Sequence, residues 1–224
     1  MRNCLAKIVL FIFLTACSNT PDFETGEIKT LQLLKNVFSQ SSKSKTFINA
    51  RDLLSRKQID DANTAVIFVE LETGQNGTLT PYPGLGDGQT WLGADGAFIT
   101  LDQGILKASR GMGTDLMGSS STFPIWKNIS STETVYSRDL SYIDGKNKIY
   151  RLILECKIKK NTTQENLEIW GVVFLVSKYE ENCRHSDGTI TNIYYLDTRE
   201  IVRKSLQYHS EEIGYLITER LDRL

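Results

Sequence analysis

The chain has 224 residues, with 26 lysines and arginines against 27 acidic residues, for a formal net charge of −1. A chain so close to neutral has no electrostatic case for a nucleic-acid partner. Its length suits one good-sized domain with its own core, or two small ones.

The N-terminus reads as an export signal. Arg2 and Lys7 form a short positive region, residues 8–14 are all apolar, and the run ends at Thr15-Ala16-Cys17. That apolar run is far shorter than the roughly 20 residues a membrane-spanning helix needs. Leu14-Thr15-Ala16-Cys17 resembles the bacterial lipobox, in which the cysteine is lipidated and the chain cut just before it. The expectation is a signal peptide over residues 1–16, an acylated Cys17 and a tether over 17–30. A single mainly β domain then fills 31–224. Acyl chains at about 0.8 kcal/mol per buried methylene give a lasting anchor. Ser18, not Asp, follows the cysteine, which by the usual sorting pattern sends the protein to the outer membrane, facing the periplasm. Cleavage leaves 208 residues and, with Arg2 and Lys7 gone, a net charge of −3.

Beyond the tether, Ile28, Leu31, Leu34, Val37 and Phe38 recur at three- and four-residue steps, predicting an amphipathic helix from Glu27. A second short helix is expected over 49–57. After Asp61 the chain turns into short runs rich in Val, Ile, Tyr, Phe and Thr, broken by Gly, Asn and Asp. Strands are predicted over 65–72, 90–92, 97–101, 105–109, 133–142, 149–159, 167–179, 190–197, 201–208 and 215–221. Asp95-Gly96, Asp102-Gln103-Gly104, Asp144-Gly145-Lys146 and Asp187-Gly188 supply turns between them. Residues 73–88 and 111–124 read as loops, the first from its glycines and prolines and the second from its lack of apolar alternation. No alternation of β and α units is present, so the expected fold is an antiparallel barrel-like or sandwich domain behind one or two short N-terminal helices.

Cys4 leaves with the signal and Cys17 is acylated, so Cys156 and Cys183 are the remaining thiols. In an oxidising compartment the pair reads as a disulfide. A metal pair with His185 is the rival reading, and no matching cluster supports it elsewhere. No metal and no cofactor are therefore expected.

The segment Arg110-Gly-Met-Gly113-Thr-Asp115-Leu-Met-Gly118-Ser119 comes closest to a chemical motif. It lacks the lysine of a phosphate-binding loop, because Ser119 stands in its place, and Leu116 stands where a dinucleotide fingerprint has its third glycine. Of the two histidines, His185 neighbours the disulfide and His209 follows a strand-like run, where a bland edge position is expected. No G-x-S-x-G surrounds any serine, and no catalytic residues are assigned. Asp102 and Asp115, flanking two glycine turns, are the acids a polysaccharide hydrolase or lyase would use. The Asn-x-Ser/Thr triplets at Asn76, Asn128 and Asn161 are incidental in a bacterial lipoprotein.

In order along the chain, Trp91, the strand-turn-strand of residues 97–109, Arg110-Gly-Met-Gly113-Thr-Asp115-Leu116, Glu181-Asn-Cys183, Asn192-Ile-Tyr194, Lys204-Ser-Leu-Gln207-Tyr208 and Gly214-Tyr-Leu-Ile carry a resemblance. They resemble the GfcB/YjbF family of bacterial lipoproteins, with Ser109, Met112 and Tyr208 as mild departures. The resemblance implies a barrel-like β domain with N-terminal helical structure, encoded among genes for secreted polysaccharide or group 4 capsule. It implies no catalytic activity and no cofactor.

Two functions follow as expectations. The first is an outer-membrane lipoprotein that takes part in export or assembly of capsule or exopolysaccharide by binding an export partner or the glycan. The second is an enzyme acting on the same polymer through Asp102 and Asp115. A solute-binding lipoprotein would show two α/β lobes, which are missing. Arg110, Gly111, Gly113, Asp115 and Trp126 are the expected partner or glycan surface. Trp91, Trp170 and Tyr82 are also aromatic, but core packing is the expected role for most of the aromatics, Trp170 among them. Trp126, after Pro124, is the one expected to be accessible.

Overall fold

The computed structural model describes residues 49–83, 88–124, 126–186 and 188–223. The expected signal, Cys17 and the predicted helix from Glu27 lie outside the described residues.

Two short helices open the described chain, α1 (Ala50–Leu53) and α2 (Arg56–Asp61). The single helix expected over 49–57 is thus split. Leu54 is extended and Ser55 starts a fresh helix, its side chain accepting from the Gln58 N–H while Gln58 reaches back to the Ser55 N–H. Asn76 ties α1 to the sheet by accepting the Ala50 N–H at 2.8 Å.

Twelve antiparallel strands follow: β1 (Ile67–Leu71), β2 (Asn76–Tyr82), β3 (Gln89–Gly93), β4 (Phe98–Asp102), β5 (Ile105–Arg110), β6 (Asp115–Ser121), β7 (Thr134–Ile143), β8 (Ile149–Ile169), β9 (Val172–His185), β10 (Gly188–Asp197), β11 (Val202–Ser210) and β12 (Gly214–Arg220). They form one sheet in the order β5-β4-β3-β2-β1-β12-β11-β10-β9-β8-β7-β6. The two end strands, β5 and β6, run side by side, so the sheet curls into a nearly closed barrel. The fold class is the expected one.

Four expectations need correction. Residues 76–82 are a strand, not loop, because Leu79 fills the core and Thr78 is buried between β1 and β3 despite Pro81. Residues 115–121 are likewise a strand, laddered to β7. Only Leu116 of β6 is buried, so no apolar alternation marks it. The predicted strand 167–179 contains a hairpin turn at Trp170-Gly171, both with positive φ (50° and 75°). The polar 160–166 stretch, read as a break, continues β8 through a bulge after Lys160.

The barrel is filled, not hollow. One apolar cluster occupies it, running from Ile67, Leu79 and Ile99 to Tyr194 and Leu216. Polar side chains from β11 cross the interior to the opposite wall. Gln207 accepts the Leu106 N–H at 2.9 Å and donates to the Gly104 carbonyl at 2.9 Å. The barrel is therefore flattened, with β11 pressed against β5. A second cluster (Ala50, Ile59, Val66, Phe68, Ile169, Leu221) lies where the long β8–β9 hairpin reaches β1 and the helices.

Candidate functional site

The strands give the barrel two ends. The β1–β2, β3–β4, β5–β6, β7–β8, β9–β10 and β11–β12 turns share one end. The β2–β3, β4–β5, β6–β7 and β10–β11 connections share the other.

The glycine-rich segment forms the β5–β6 turn at the first end. Gly111 and Gly113 have φ of +78° and +111°, and a Cβ on Gly111 would come within 3.2 Å of the Ala97 Cα. Asp115 accepts the Met112 N–H at 3.4 Å, and Thr114 donates to the Glu212 carboxylate. Arg110 turns its guanidinium onto the gap between β5 and β6, donating to the carbonyls of Ser109 (2.7 Å) and Leu116 (3.1 Å). The Leu116 N–H donates to Ser109 Oγ at 2.9 Å. The most recognisable stretch of the sequence thus closes a barrel seam through side chains where no ladder forms.

Behind that seam lies a buried Ser–His pair that sequence reasoning missed. His209 is not at an edge: it points into the barrel, fully buried, and shares a 2.7 Å hydrogen bond with Ser109 Oγ. Burial pushes the imidazole down to about 4, against a small opposing pull from Asp115. Its Nδ1 has no partner, so no third group orients the ring as a nucleophilic triad requires, and Ser109 is itself sealed from solvent.

Glu181, also fully buried, is the second interior feature. Burial favours its protonated form, but Arg138 (3.1 Å), the Tyr136 hydroxyl, Asn192 (2.6 Å) and the Tyr194 hydroxyl (2.8 Å) together hold the carboxyl below its ordinary range. Every one of these partners is a donor, so the carboxylate is an ionised, saturated structural centre. Beside it, Cys156 and Cys183 face each other across β8 and β9 and form the expected disulfide. The metal-ligand types gathered here, Cys156, Cys183 and Glu181, are thereby a bonded disulfide and a saturated carboxylate.

Trp126 departs from expectation. It sits on a 3-10 turn (Trp126–Asn128), only 2% exposed, and plugs the second end of the barrel. Its ring meets Phe123, Tyr179 and Tyr194 edge-on, and its indole N–H donates to the Gln103 carbonyl at 2.9 Å. A ring so enclosed is core, not an accessible platform. Trp170, at the tip of the β8–β9 hairpin, packs 5.8 Å from Phe68, and Tyr82 ends β2 half-buried.

Asp102 and Asp115 lie at opposite ends of the six-residue β5, about 20 Å apart at the usual strand rise. Glycosidase carboxyl groups stand roughly 5–9.5 Å apart. The pair named for a hydrolase or lyase is not brought together, and Asp102 instead meets Lys107 at 3.7 Å. Beside the Trp126 plug, the second end keeps an open cavity of about 310 Å3, walled by Ile67, Trp91, Leu101, Val202 and Arg220 among others.

Comparison with curated proteins gives no significant sequence match. Among solved structures, the chain is similar to the crystal structure of the hypothetical lipoprotein YmcC from Escherichia coli (K12). The TM-score is 0.68 at 16% identity, over 85% of this chain and 93% of that one. At that identity the likeness shows a shared fold. The sequence matches the family described as group 4 capsule polysaccharide lipoprotein GfcB, YjbF, over residues 31–221, which takes in the entire barrel with its seam loop and interior network. The chain belongs to the YjbF family of group 4 capsule polysaccharide lipoproteins.

Proposed function

We propose that the protein is an outer-membrane lipoprotein, anchored through acylated Cys17 and facing the periplasm. It takes part in export or assembly of capsule or exopolysaccharide by binding an export partner or the glycan, without breaking bonds in the polymer. The family match across the whole barrel carries this reading. The geometry adds support, since Asp102 and Asp115 are separated by the length of β5 and the Ser109–His209 pair is sealed. The β5–β6 turn offers Gly111, Met112 and Gly113 at one end as a surface, with Arg110 and Asp115 shaping it from the seam.

The lipobox Leu14-Thr15-Ala16-Cys17 supports the anchor and Ser18 the outer-membrane address. Deleting the gene, or replacing the chromosomal copy with Cys17→Ala, is expected to lower cell-surface polysaccharide. Wild-type amounts in both strains, measured by uronic-acid or hexose assay of the shed and bound fractions, would overturn the proposal.

A further inference from the structure

A further cavity, of about 360 Å3, lies against the Trp126 plug, between β8, β9 and the β10–β11 turn. That volume is in the range of small-ligand sites, roughly 300–1,000 Å3.

The strands around it explain its shape. Four residue steps along β8, from Lys160 to Gln164, oppose two along β9, from Tyr179 to Ser177. The bulge bows β8 and brings both Lys160 and Gln164 onto the cavity. The Lys160 N–H donates to the Ser130 carbonyl at 2.7 Å, which fixes the loop carrying Trp126, Lys127 and Ile129 against that strand. On the opposite wall Asp197 organises the β10–β11 turn. Its carboxylate accepts the Arg199 and Ile201 N–H groups at 2.8 and 3.0 Å and the Arg203 guanidinium at 2.8 Å. The turn holds Glu200 at φ of +62°, where glycine or asparagine is the usual residue, and sets it on the cavity.

The polar groups that this frame presents lack partners of their own. Tyr179 is 5% exposed, yet its hydroxyl is open to the cavity and has no hydrogen-bond partner among the described residues. Burial, with the Glu200 carboxylate nearby, pushes it above the usual phenol range, so it stays a neutral hydroxyl that can donate and accept. The Lys160 ammonium stands 5.7 Å from the Tyr179 ring centroid, and neither it nor the Lys127 ammonium has an ion-pair partner among the described residues. Glu200 is likewise unpaired there, whereas the Asp197 carboxylate is taken up by its own turn. Gln164 Nε2 and Ser177 Oγ, 3.4 Å apart, add an amide and a hydroxyl.

Two ammonium groups without a counter-ion favour an anion. Glu200 beside them can only accept, so the ligand must bring several hydroxyl donors as well as its charge, which is the pattern of a sugar acid. We propose that this cavity binds one acidic sugar residue of a glycan chain, its carboxylate meeting Lys160 and Lys127 and its ring hydroxyls meeting Glu200 and Tyr179 Oη. The apolar side chains of Trp126, Ile129 and Leu196 suit the carbon face of the ring. This inference rests on the export reading above for the glycan, and adds the class of sugar and the place that holds it.

The test uses the full chain, 15N-labelled and purified in a zwitterionic, non-glycosidic detergent, with its three indole N–H signals followed by NMR. Trp91→Phe and Trp170→Phe assign the Trp126 signal by elimination. The probes are methyl β-glucuronide, methyl α-galacturonide, the galacturonate trimer, methyl β-glucopyranoside and inorganic phosphate. The expected result is a saturable shift of the Trp126 signal with an acidic sugar, at least tenfold tighter than with the neutral glucoside or with phosphate. Lys160→Gln removes the charge at the bulge, and Tyr179→Phe removes the hydroxyl while keeping the ring against Trp126. Each should weaken binding about tenfold with the indole signals of the free protein retained. No Trp126 shift with any acidic sugar, equal affinity for the neutral glucoside or for phosphate, or unchanged affinity in both variants would each overturn the site. If deletion of the gene lowers surface polysaccharide while the Trp126 signal stays silent, the site falls and the export reading stands. If surface polysaccharide is unchanged but the signal shifts, the export reading falls and the site stands.

Discussion

At His209 strand alternation carries an imidazole into the barrel, where burial pushes it down to about 4. In the unfolded chain the same ring titrates near 6.5. Between those values the unfolded state holds more protons than the folded one, so stability rises with pH across this window. The contribution is complete above about 6.5 and is lost as pH falls toward about 4, on the order of 3 kcal/mol in all. Urea midpoints measured from pH 7.5 down to 4.5 should therefore decline, and in His209→Gln the decline should be much flatter; equal slopes would show that the ring is not the titrating group. His209 was illegible in the sequence for a specific reason. The inward side chains of β11 are Arg203, Ser205, Gln207 and His209, while Lys204, Leu206 and Tyr208 alternate with them. A rule that apolar residues face inward selects the wrong face of that strand. The Cys156–Cys183 bond was legible because compartment and count decided it without any knowledge of register.

The β8–β9 hairpin shows the same limit for a whole element. Both strands are rich in β-forming residues, and they were expected, but the turn between them was hidden inside an apolar run. Trp170 takes the first position of a turn that usually carries Asn, and its ring is the reason. It packs on Phe68, 5.8 Å away, with the Arg51 guanidinium 5.6 Å from the ring and 4.2 Å above Phe68. Phe174 lies 4.4 Å under Arg203 along the way. The arm beyond the barrel is thus fastened at its tip, and tertiary contact has overridden turn preference. Trp170→Ala should release it. Halving the usual cost of a core Trp→Ala change for a half-buried ring gives about 2 kcal/mol, or roughly 30-fold in the opening equilibrium. Chymotrypsin cleavage at Leu167 and Phe174, both in the arm, should rise accordingly while the barrel stays folded; an unchanged digestion rate would mean the tip contacts do not hold the arm.

Over the whole molecule the strands form a ring of sequence neighbours, completed by the ladder between β1 and β12. The weak link is between β5 and β6, which lie next to each other in the chain yet share no ladder. Ser109 and Arg110 hold that seam, and β11 braces it from inside through His209 and Gln207. Ser109→Ala would leave the Leu116 N–H and His209 Nε2 unpaired in the interior, a loss of about 2–3 kcal/mol. Amide hydrogen exchange should speed up first along residues 115–121, with the β1–β12 ladder still protected; uniform acceleration would count against a local seam. The glycine-rich turn was conspicuous in the sequence, but that it mends a gap could be seen only once β11 lay across the barrel.

The ring also orders events in time. Every ladder except one joins strands that follow directly in the chain, so each can form as soon as its second strand exists. The exception pairs Ile67–Leu71 with residues 216–220, the beginning of the barrel with its last strand. As the chain emerges, N-terminus first, the outer edge of β1 waits unpaired until residues 216–220 arrive. A chain that stopped before residue 216 would lose the ladder that turns a curled sheet into a ring, and would present β1 as a free edge to its neighbours.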